Sequence, residues 1–367
     1  MSRIDRRPES AAKLTRLRHI MQQQQIDTLV IQNTANIAWL TAGANTHINI
    51  ASEVGPVTLL VTPDHAWAIT DKVEAPRMEV EQHLPELGFQ MELEPWYARG
   101  GRIAAMVKGG HNAHDGFGNG IDFAQELQQL RSILLPEEQE RMRDLCSVSA
   151  QAMDVAIRGV QPGMTEYEIA GRLDIASRAV GGEAIVNLVA TDDRIAQFRH
   201  PMPTMRTMER YAMLVLCMRR EGLISAITRL VHVGSLPDEL RRKALAVAHV
   251  DAAMIHGTQV GKTFGDIFAL ARQTYTEEGF PEAIEEHHQG GSIGYQPREV
   301  LAQPNSTVAI QQFQAFAWNP SVRGVKSEDT VLLGSNGVEV ITTIANWPTW
   351  TVEVDGQPIA RPAILEI

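Results

Sequence analysis

The chain has 367 residues, which favours two domains, and its 44% hydrophobic and 21% charged residues are typical of a globular protein. Acidic residues outnumber basic ones by 44 to 33, and the resulting formal charge of −11 argues against nucleic acid or an anionic membrane as a partner. Only two cysteines occur, Cys146 and Cys217, which excludes a disulfide scaffold and a cysteine-based zinc site and suits a reducing cytoplasm.

The first third of the chain has an α/β pattern. Apolar positions recur at helical spacing over residues 12–25, and residues 26–31 have the composition of a buried strand. Two further strands are predicted over residues 56–62 and 66–70, with a Pro-Asp turn between them.

A glycine-rich stretch over residues 100–122 is predicted to end this first domain. Beyond it, Pro136 followed by Glu137 and Glu138 indicates the start of a long helix, because proline is favoured in the first turn and acidic side chains interact favourably with the helix dipole there. We therefore predict an N-terminal domain over residues 1–135 and a C-terminal domain over residues 136–367.

The C-terminal domain contains an internal repeat. Residues 163–181 and 261–279 each run from glycine to glycine, with a threonine suited to cap a helix and an acidic residue in the first turn. Strand-like sequence follows each helix, and hairpins are predicted within residues 212–233 and 325–343. Helices combined with antiparallel strands predict an α+β fold with two similar halves.

This organisation resembles the superfamily of creatinase, Xaa-Pro aminopeptidase and prolidase. The N-terminal domain is similar to the creatinase/prolidase type, with residues 26–31, residues 36–40 and Gly43 as its usual opening. The repeat resembles the pita-bread fold, which has an internal pseudo-twofold repeat. The resemblance spans nearly the whole chain and implies a homodimeric hydrolase of a small-molecule substrate.

Peptidases of this superfamily bind two divalent metals through two aspartates, one histidine and two glutamates, a set of ligands that generates hydroxide at neutral pH. Motif by motif, the matching positions in this sequence hold Val215, Ala226, Gly291, Asn319 and Glu328. One carboxylate cannot hold two metals. The resemblance therefore implies a branch without the metal ligands, most like creatinase in that respect, with no metal and no other cofactor.

Two residues are predicted to be catalytic. His200 lies in a Gln-Phe-Arg-His-Pro-Met-Pro segment that resembles the one carrying the family's non-ligand histidine, which implies a proton shuttle. The alternative is a loop histidine bonded to a backbone carbonyl. Glu328 matches a carboxylate that persists in creatinase, which implies that it orients water or a cationic group. The alternative is a salt bridge with Arg229 or Arg323.

Four residues are predicted to bind the substrate. Arg298 is expected to hold a carboxylate with its planar guanidinium, the alternative being a surface pair with Glu299, which is itself included in the set. His288 is preferred to His287, because neighbouring strand residues point to opposite faces and at most one of the two faces the site. Asn319 is expected to hydrogen-bond a ligand amide. The glycine pair of the same histidine stretch is expected to let a ligand approach the backbone.

We therefore predict a metal-independent hydrolase of a small C–N-bonded, carboxylate-bearing metabolite. The alternative is a non-catalytic pseudo-peptidase that binds a ligand or a protein partner, as relatives of this fold do. From the basic, polar first ten residues we expect no signal peptide, and we expect no membrane span because no stretch is apolar enough to cross a bilayer. We expect a cytoplasmic homodimer that binds neither nucleic acid nor membrane.

Overall fold

The computed structural model describes residues 5–107 and 109–367. The chain divides into two compact units, the first comprising Met1–Glu138 with Glu221–Leu223 and the second comprising Gln139–Arg220 with Ile224–Ile367. The boundary that we predict after residue 135 separates two independently folding domains, and it stays a prediction.

The first unit is built on one mixed sheet. Its helices are α1 (Arg7–Gln23), α2 (Thr34–Leu40), α3 (Ala75–Val80), α4 (Gly101–Met106) and α5 (Ala124–Ser132). Its strands are β1 (Thr28–Asn33), β2 (Val54–Val61), β3 (Ala66–Asp71), β4 (Gln90–Glu94), β5 (Asn112–His114) and β6 (Ile121–Asp122). The strand order is β4-β3-β2-β1-β5-β6, and β1 pairs antiparallel with β2 and parallel with β5.

The elements predicted for this unit are present, with shifted ends. Helix α1 begins at Arg7 rather than at residue 12, and β1 begins at Thr28 rather than at residue 26. The stretch over residues 100–122 contains α4, β5 and β6, while its residue 108 lies outside the described residues. The early start of α1 follows from Pro8 and Glu9, which favour a first helical turn but carry no apolar periodicity.

The second unit combines helices with two larger and two small sheets. Its helices are α6 (Pro136–Arg158), α7 (Glu166–Ala179), α8 (Arg194–Gln197), α9 (Asp238–Gly257), α10 (Phe264–Glu277) and α11 (Ala283–Glu286). Its strands are β7 (Glu183–Thr191), β8 (Tyr211–Arg220), β9 (Leu223–His232), β10 (Gly290–Ile293), β11 (Val300–Leu301), β12 (Ala315–Trp318), β13 (Ser321–Val322), β14 (Val325–Lys326), β15 (Asp329–Gly334), β16 (Gly337–Val340), β17 (Thr349–Val354), β18 (Gln357–Pro362) and β19 (Leu365–Glu366). The larger sheets have the orders β11-β10-β12-β15-β16 and β19-β9-β8-β7.

Helices α7 and α10 confirm the predicted repeat. Each has 14 residues and begins after a threonine, Thr165 or Thr263, whose hydroxyl accepts a backbone N–H from the first turn. The acidic residue at that position, Glu168 or Asp266, accepts the threonine N–H in return, at 2.7 Å in both helices. This capping box satisfies donors that a helix start leaves unpaired, so two short motifs determine where the equivalent helices begin.

One hydrophobic core joins helices and sheets of the second unit. Val247, Val250 and Met254 of α9 pack in one cluster with Phe316 of β12 and Val215 of β8. Removal of such apolar surface from water is the main stabilising contribution to folding. Helices and antiparallel strands around this core confirm the α+β prediction. Within the described ranges, no helix is both long and apolar enough to cross a membrane.

Candidate active site

Two adjacent glycines shape the backbone on which the site is built. Gly291 of β10 pairs with Leu301 of β11 on one side and with Ala317 of β12 on the other. A Cβ atom at position 291 would lie 1.8 Å from the carbonyl oxygen of Val300, and one at Gly290 would lie 2.1 Å from that of Ala317. Close packing of the neighbouring strands is thus one reason for glycine at both positions, and the expected approach of a ligand stays a prediction.

Three imidazole rings lie together just before this strand. The rings of His287 and His288 are stacked with centroids 4.4 Å apart, and the ring of His200 lies 4.9 Å from the former and 5.7 Å from the latter. The Nε2 atoms of His200 and His287 are 3.1 Å apart, a hydrogen-bond distance. Both neighbouring histidines thus belong to the cluster, contrary to the expectation for a strand, because β10 begins only at Gly290.

The surroundings of these rings keep the imidazoles neutral. Burial, and then the charge of Lys326, lowers the pKa of His287 to about 2. Burial, and then the charge of Arg298, lowers the pKa of His288 to about 4. Burial and Lys326 also lower the pKa of His200, although its ring is exposed. A neutral imidazole has a nitrogen lone pair that can accept a proton, so the exposed ring of His200 has the chemistry of a general base.

The same three histidines are the metal-type ligands to consider. Among the described residues they form the one group of three or more His, Cys, Asp or Glu side chains placed to share an ion, with ligand nitrogens within 4.8 Å of one another. Lys326 and Arg298 carry positive charges beside these rings. These two charges oppose a further cation, whereas the negative charge of Glu328 beside the same rings favours one.

Glu328 is a buried acceptor shared by two cationic side chains. One carboxylate oxygen lies 2.8 Å from Nζ of Lys326, and the other lies 3.0 Å from Nη2 of Arg298. The hydroxyl of Thr228 donates to the carboxylate at 2.7 Å. Burial alone would raise the pKa of Glu328, but Lys326, Arg298 and these hydrogen bonds outweigh it and lower the pKa to about 2. The carboxylate is therefore ionised at neutral pH.

A second buried charge network holds the residues that flank this glutamate. Asp329 accepts hydrogen bonds from Arg229 at 2.8 Å and from Arg361 at 2.7 Å. Asp251 pairs with Arg361 at 2.6 Å and accepts the hydroxyl of Ser327 at 2.5 Å. The four side chains are at most 3% exposed, and two guanidinium groups face two carboxyl groups, of which Asp251 has its pKa raised by burial. Because the network fixes both neighbours of the glutamate, it also fixes where the glutamate points.

Charged side chains also flank the histidines. Arg199 and Glu286, which precede two of the histidines in sequence, form an ion pair with each other. Arg323 binds the same carboxylate, with Nε 2.7 Å from Oε1. Arg323, one alternative partner expected for Glu328, therefore pairs with Glu286 instead. Arg229, the other alternative, reaches only the backbone oxygen of Glu328, at 3.2 Å.

Three polar atoms in and next to the cluster are buried without a hydrogen-bond partner in the described part of the chain. They are Nδ1 of His287, Nε of Arg298 and Oδ1 of Asn319. The backbone N–H of Asn319 donates to the carbonyl of Gln289 at 3.1 Å, which ties this residue to the histidine segment. Buried polar atoms without partners are rare in folded proteins, so each of these three is a candidate for contact with water or a ligand.

Glu299 is engaged with the loop that precedes it. Its Oε1 accepts the backbone N–H groups of Tyr295 at 3.0 Å and of Gln296 at 3.1 Å. These bonds shape the loop that presents Arg298. The substrate-binding role expected for Glu299 stays a prediction.

His287 and Lys326 are members of the cluster that our sequence analysis did not select. The signal for Lys326 was its spacing from Glu328, because side chains two residues apart in an extended segment lie on the same face. The signal for His287 was weaker, since its inclusion depends on where the following strand begins. The structure brings together His200, His287, His288, Arg298, Lys326 and Glu328.

Two family models match the chain. Residues 140–335 match metallopeptidase family M24, and residues 13–109 match the creatinase/prolidase N-terminal domain. The Xaa-Pro dipeptidase of Pyrococcus furiosus is 23% identical over 348 residues, which cover 90% of this chain and 97% of that protein.

Solved structures are similar over nearly the same extent. The prolidase from Pyrococcus horikoshii superimposes with a TM-score of 0.78 at 18% identity, covering 91% of this chain and 98% of its own. The N-terminal domain of the FACT complex subunit SPT16 from Cicer arietinum gives a TM-score of 0.69 at 11% identity, covering 92% and 97%. These likenesses confirm the predicted fold, a pita-bread C-terminal part preceded by a creatinase-type N-terminal domain.

Proposed function

The chain belongs to metallopeptidase family M24, and we propose that it is a metal-independent hydrolase that cleaves a C–N bond in a small, carboxylate-bearing compound. The observation that carries the proposal is the pairing of Lys326 and Arg298 with Glu328 beside three neutral histidines. The Xaa-Pro dipeptidase among the relatives supports C–N bond hydrolysis as the reaction class.

The side chains at the five matched positions do not fit the metal pair of the peptidases. Val215 belongs to the hydrophobic core, and Ala226 is fully buried with no donor atom in its side chain. At Gly291 no side chain fits without displacing β11. The amide of Asn319 and the carboxylate of Glu328 remain, and two cations already bind that carboxylate. A dinuclear site needs several carboxylate or imidazole ligands, so no step of our proposal involves a metal.

The proposed mechanism relies on proton transfer and fixed charge. The neutral imidazole of His200 takes a proton from water, and the hydroxide adds to the carbon of the scissile C–N bond. As that bond breaks, its electron pair goes to nitrogen, and the imidazolium returns the proton to the leaving nitrogen. One water is consumed, and no net proton or electron is released.

The other residues are proposed to position the substrate. Arg298 binds its carboxylate, while His288 and Asn319 line the reacting region. Because both oxygens of Glu328 are bound to cations, we propose that it acts by holding Arg298 and Lys326 in place. A homodimer and a cytoplasmic location are proposed on the resemblance to the superfamily.

The test is turnover by chelator-treated protein of a panel of Xaa-Pro dipeptides, N-acyl amino acids and amidino amino acids. We expect hydrolysis of at least one class in the presence of EDTA, unchanged by added Mn²⁺. His200→Ala is expected to lower kcat by roughly 10²–10⁴-fold, the usual contribution of a general base. His19→Ala removes an exposed histidine of α1 and serves as the matched control.

Turnover that depends on Mn²⁺, or that His200→Ala leaves intact, contradicts the proposal. Failure to hydrolyse any compound class of the panel also contradicts it and supports the pseudo-peptidase alternative.

A further inference from the structure

Two cationic side chains and one carboxylate are packed together beside the histidine cluster. Lys326 and Arg298 share the single carboxylate of Glu328. The side chains of Lys326 and Glu328 are only 5% and 2% exposed. Removing an ion from water is costly unless an opposite charge compensates it, and the single charge of Glu328 can compensate only one of these two cations.

The neighbouring buried network gives an internal comparison. There, Arg229 and Arg361 pair with the carboxyl groups of Asp251 and Asp329, although burial raises the pKa of Asp251. Two carboxyl groups thus face two guanidinium groups in that network, whereas one carboxylate faces two cationic side chains at the histidine cluster. A buried charge is costly without a partner of opposite sign, and an anionic ligand would supply such a partner.

The rim of the cluster has the same sign. With the imidazoles neutral, four basic side chains lie next to three acidic ones, for a local formal charge of +1 in a chain whose net charge is −11. A positive region on an otherwise acidic protein attracts small anions and raises their local concentration. The seven side chains are Arg199, Arg298, Arg323, Lys326, Glu286, Glu299 and Glu328.

We infer that Lys326 is a substrate-binding residue and that its ammonium, together with the guanidinium of Arg298, binds the carboxylate of a small organic anion. Lysine has three N–H donors and arginine has five, so both have donors beyond those used for Glu328. Nε of Arg298 is one such donor, buried and without a partner in the described residues. This inference rests on the proposed function, because it concerns the same site, but binding and turnover are separate measurements.

The experiment compares two ligands that differ only in charge, N-acetylglycine and N-acetylglycinamide, by thermal shift and calorimetry on the full chain at constant ionic strength. We expect saturable binding of the acid and none of the amide. Lys326→Met is expected to weaken binding of the acid at least tenfold, and Lys326→Arg to restore part of it. Lys262→Met removes an exposed lysine and is the matched control, with unchanged binding.

Any of three results overturns the inference: the acid does not bind, the acid and the amide bind equally, or Lys326→Met binds the acid as tightly as the unmodified protein does. If Lys326→Met does not fold, Arg298→Gln replaces it with the same expectation. Lysine-dependent binding without turnover of any panel compound leaves the inference standing and rejects the proposed hydrolase. Turnover of a panel compound, combined with acid binding that Lys326→Met does not weaken, rejects the inference but not the proposed hydrolase.

Discussion

Replacing Gly291 with alanine tests how tightly the strands close over the position that matches the family's histidine ligand. The added Cβ would lie 1.8 Å from the carbonyl oxygen of Val300, 2.9 Å from its carbon and 3.0 Å from Cα of Leu301. Non-bonded carbon atoms pack at about 3.5–4.0 Å, so β11 would have to move by more than about 1 Å. Overpacking costs about 1–3 kcal/mol, and each lost ladder hydrogen bond costs about 1 kcal/mol. We expect a loss of roughly 3 kcal/mol in the free energy of unfolding.

Urea unfolding followed by circular dichroism measures this change. Gly171→Ala is the matched control, because Gly171 lies within α7 and its added Cβ would meet no atom within 4 Å. Alanine is favoured over glycine inside a helix by about 0.5–1 kcal/mol, so the control should gain stability. If Gly291→Ala unfolds within about 0.5 kcal/mol of the unmodified protein, the strands are not closed there, and our reasoning on the lost histidine ligand is refuted.

Three further predictions concern charge. Arg361→Met leaves two buried aspartates without their shared partner and should cost about 3–5 kcal/mol of unfolding free energy, while Arg242→Met at the surface should leave the urea midpoint unchanged. The pKa of His288 falls from 6.5 to about 4 on folding, so between these pH values the unfolded chain binds a proton that the folded chain does not. The free energy of unfolding should therefore fall as the pH drops from 6.5 to 4. Urea midpoints measured across that range should show this slope, and His288→Phe should reduce it. In the pH dependence of kcat/KM, the acidic limb assigned to His200 should lie below pH 6.5. Lys326→Met should move this limb to higher pH, because it removes a neighbouring positive charge that lowers the pKa of His200. A limb that stays in place would count against His200 as the base.

Local sequence patterns were sufficient for the repeat but not for the site. The capping boxes at Thr165 and Thr263 are complete within four residues, so their helices could be predicted without tertiary information. The strand alternation applied to His287 and His288 failed, because the chain becomes a strand only at Gly290, where β12 pairs with it. That pairing partner lies far along the sequence, and no local pattern reports it.

The chemistry of the site depends on the same kind of long-range contact. His200, Arg298 and Glu328 were selected from motifs, and the structure brings them together. Lys326 was not predicted from the sequence, although its spacing from Glu328 places both side chains on one face of an extended segment. Its burial follows from its pairing with Glu328, and only the folded chain shows that two cations share that one carboxylate.

We propose that fixed cationic side chains stand in this site instead of metal ions. Calorimetric titration of Zn²⁺ and Mn²⁺ into chelator-stripped, full-length protein tests it most directly. We predict no saturable binding of either ion at micromolar concentrations, for the unmodified protein and for Glu328→Gln alike. Binding of two equivalents that Glu328→Gln abolishes, or of one equivalent that His287→Ala abolishes, would contradict the claim.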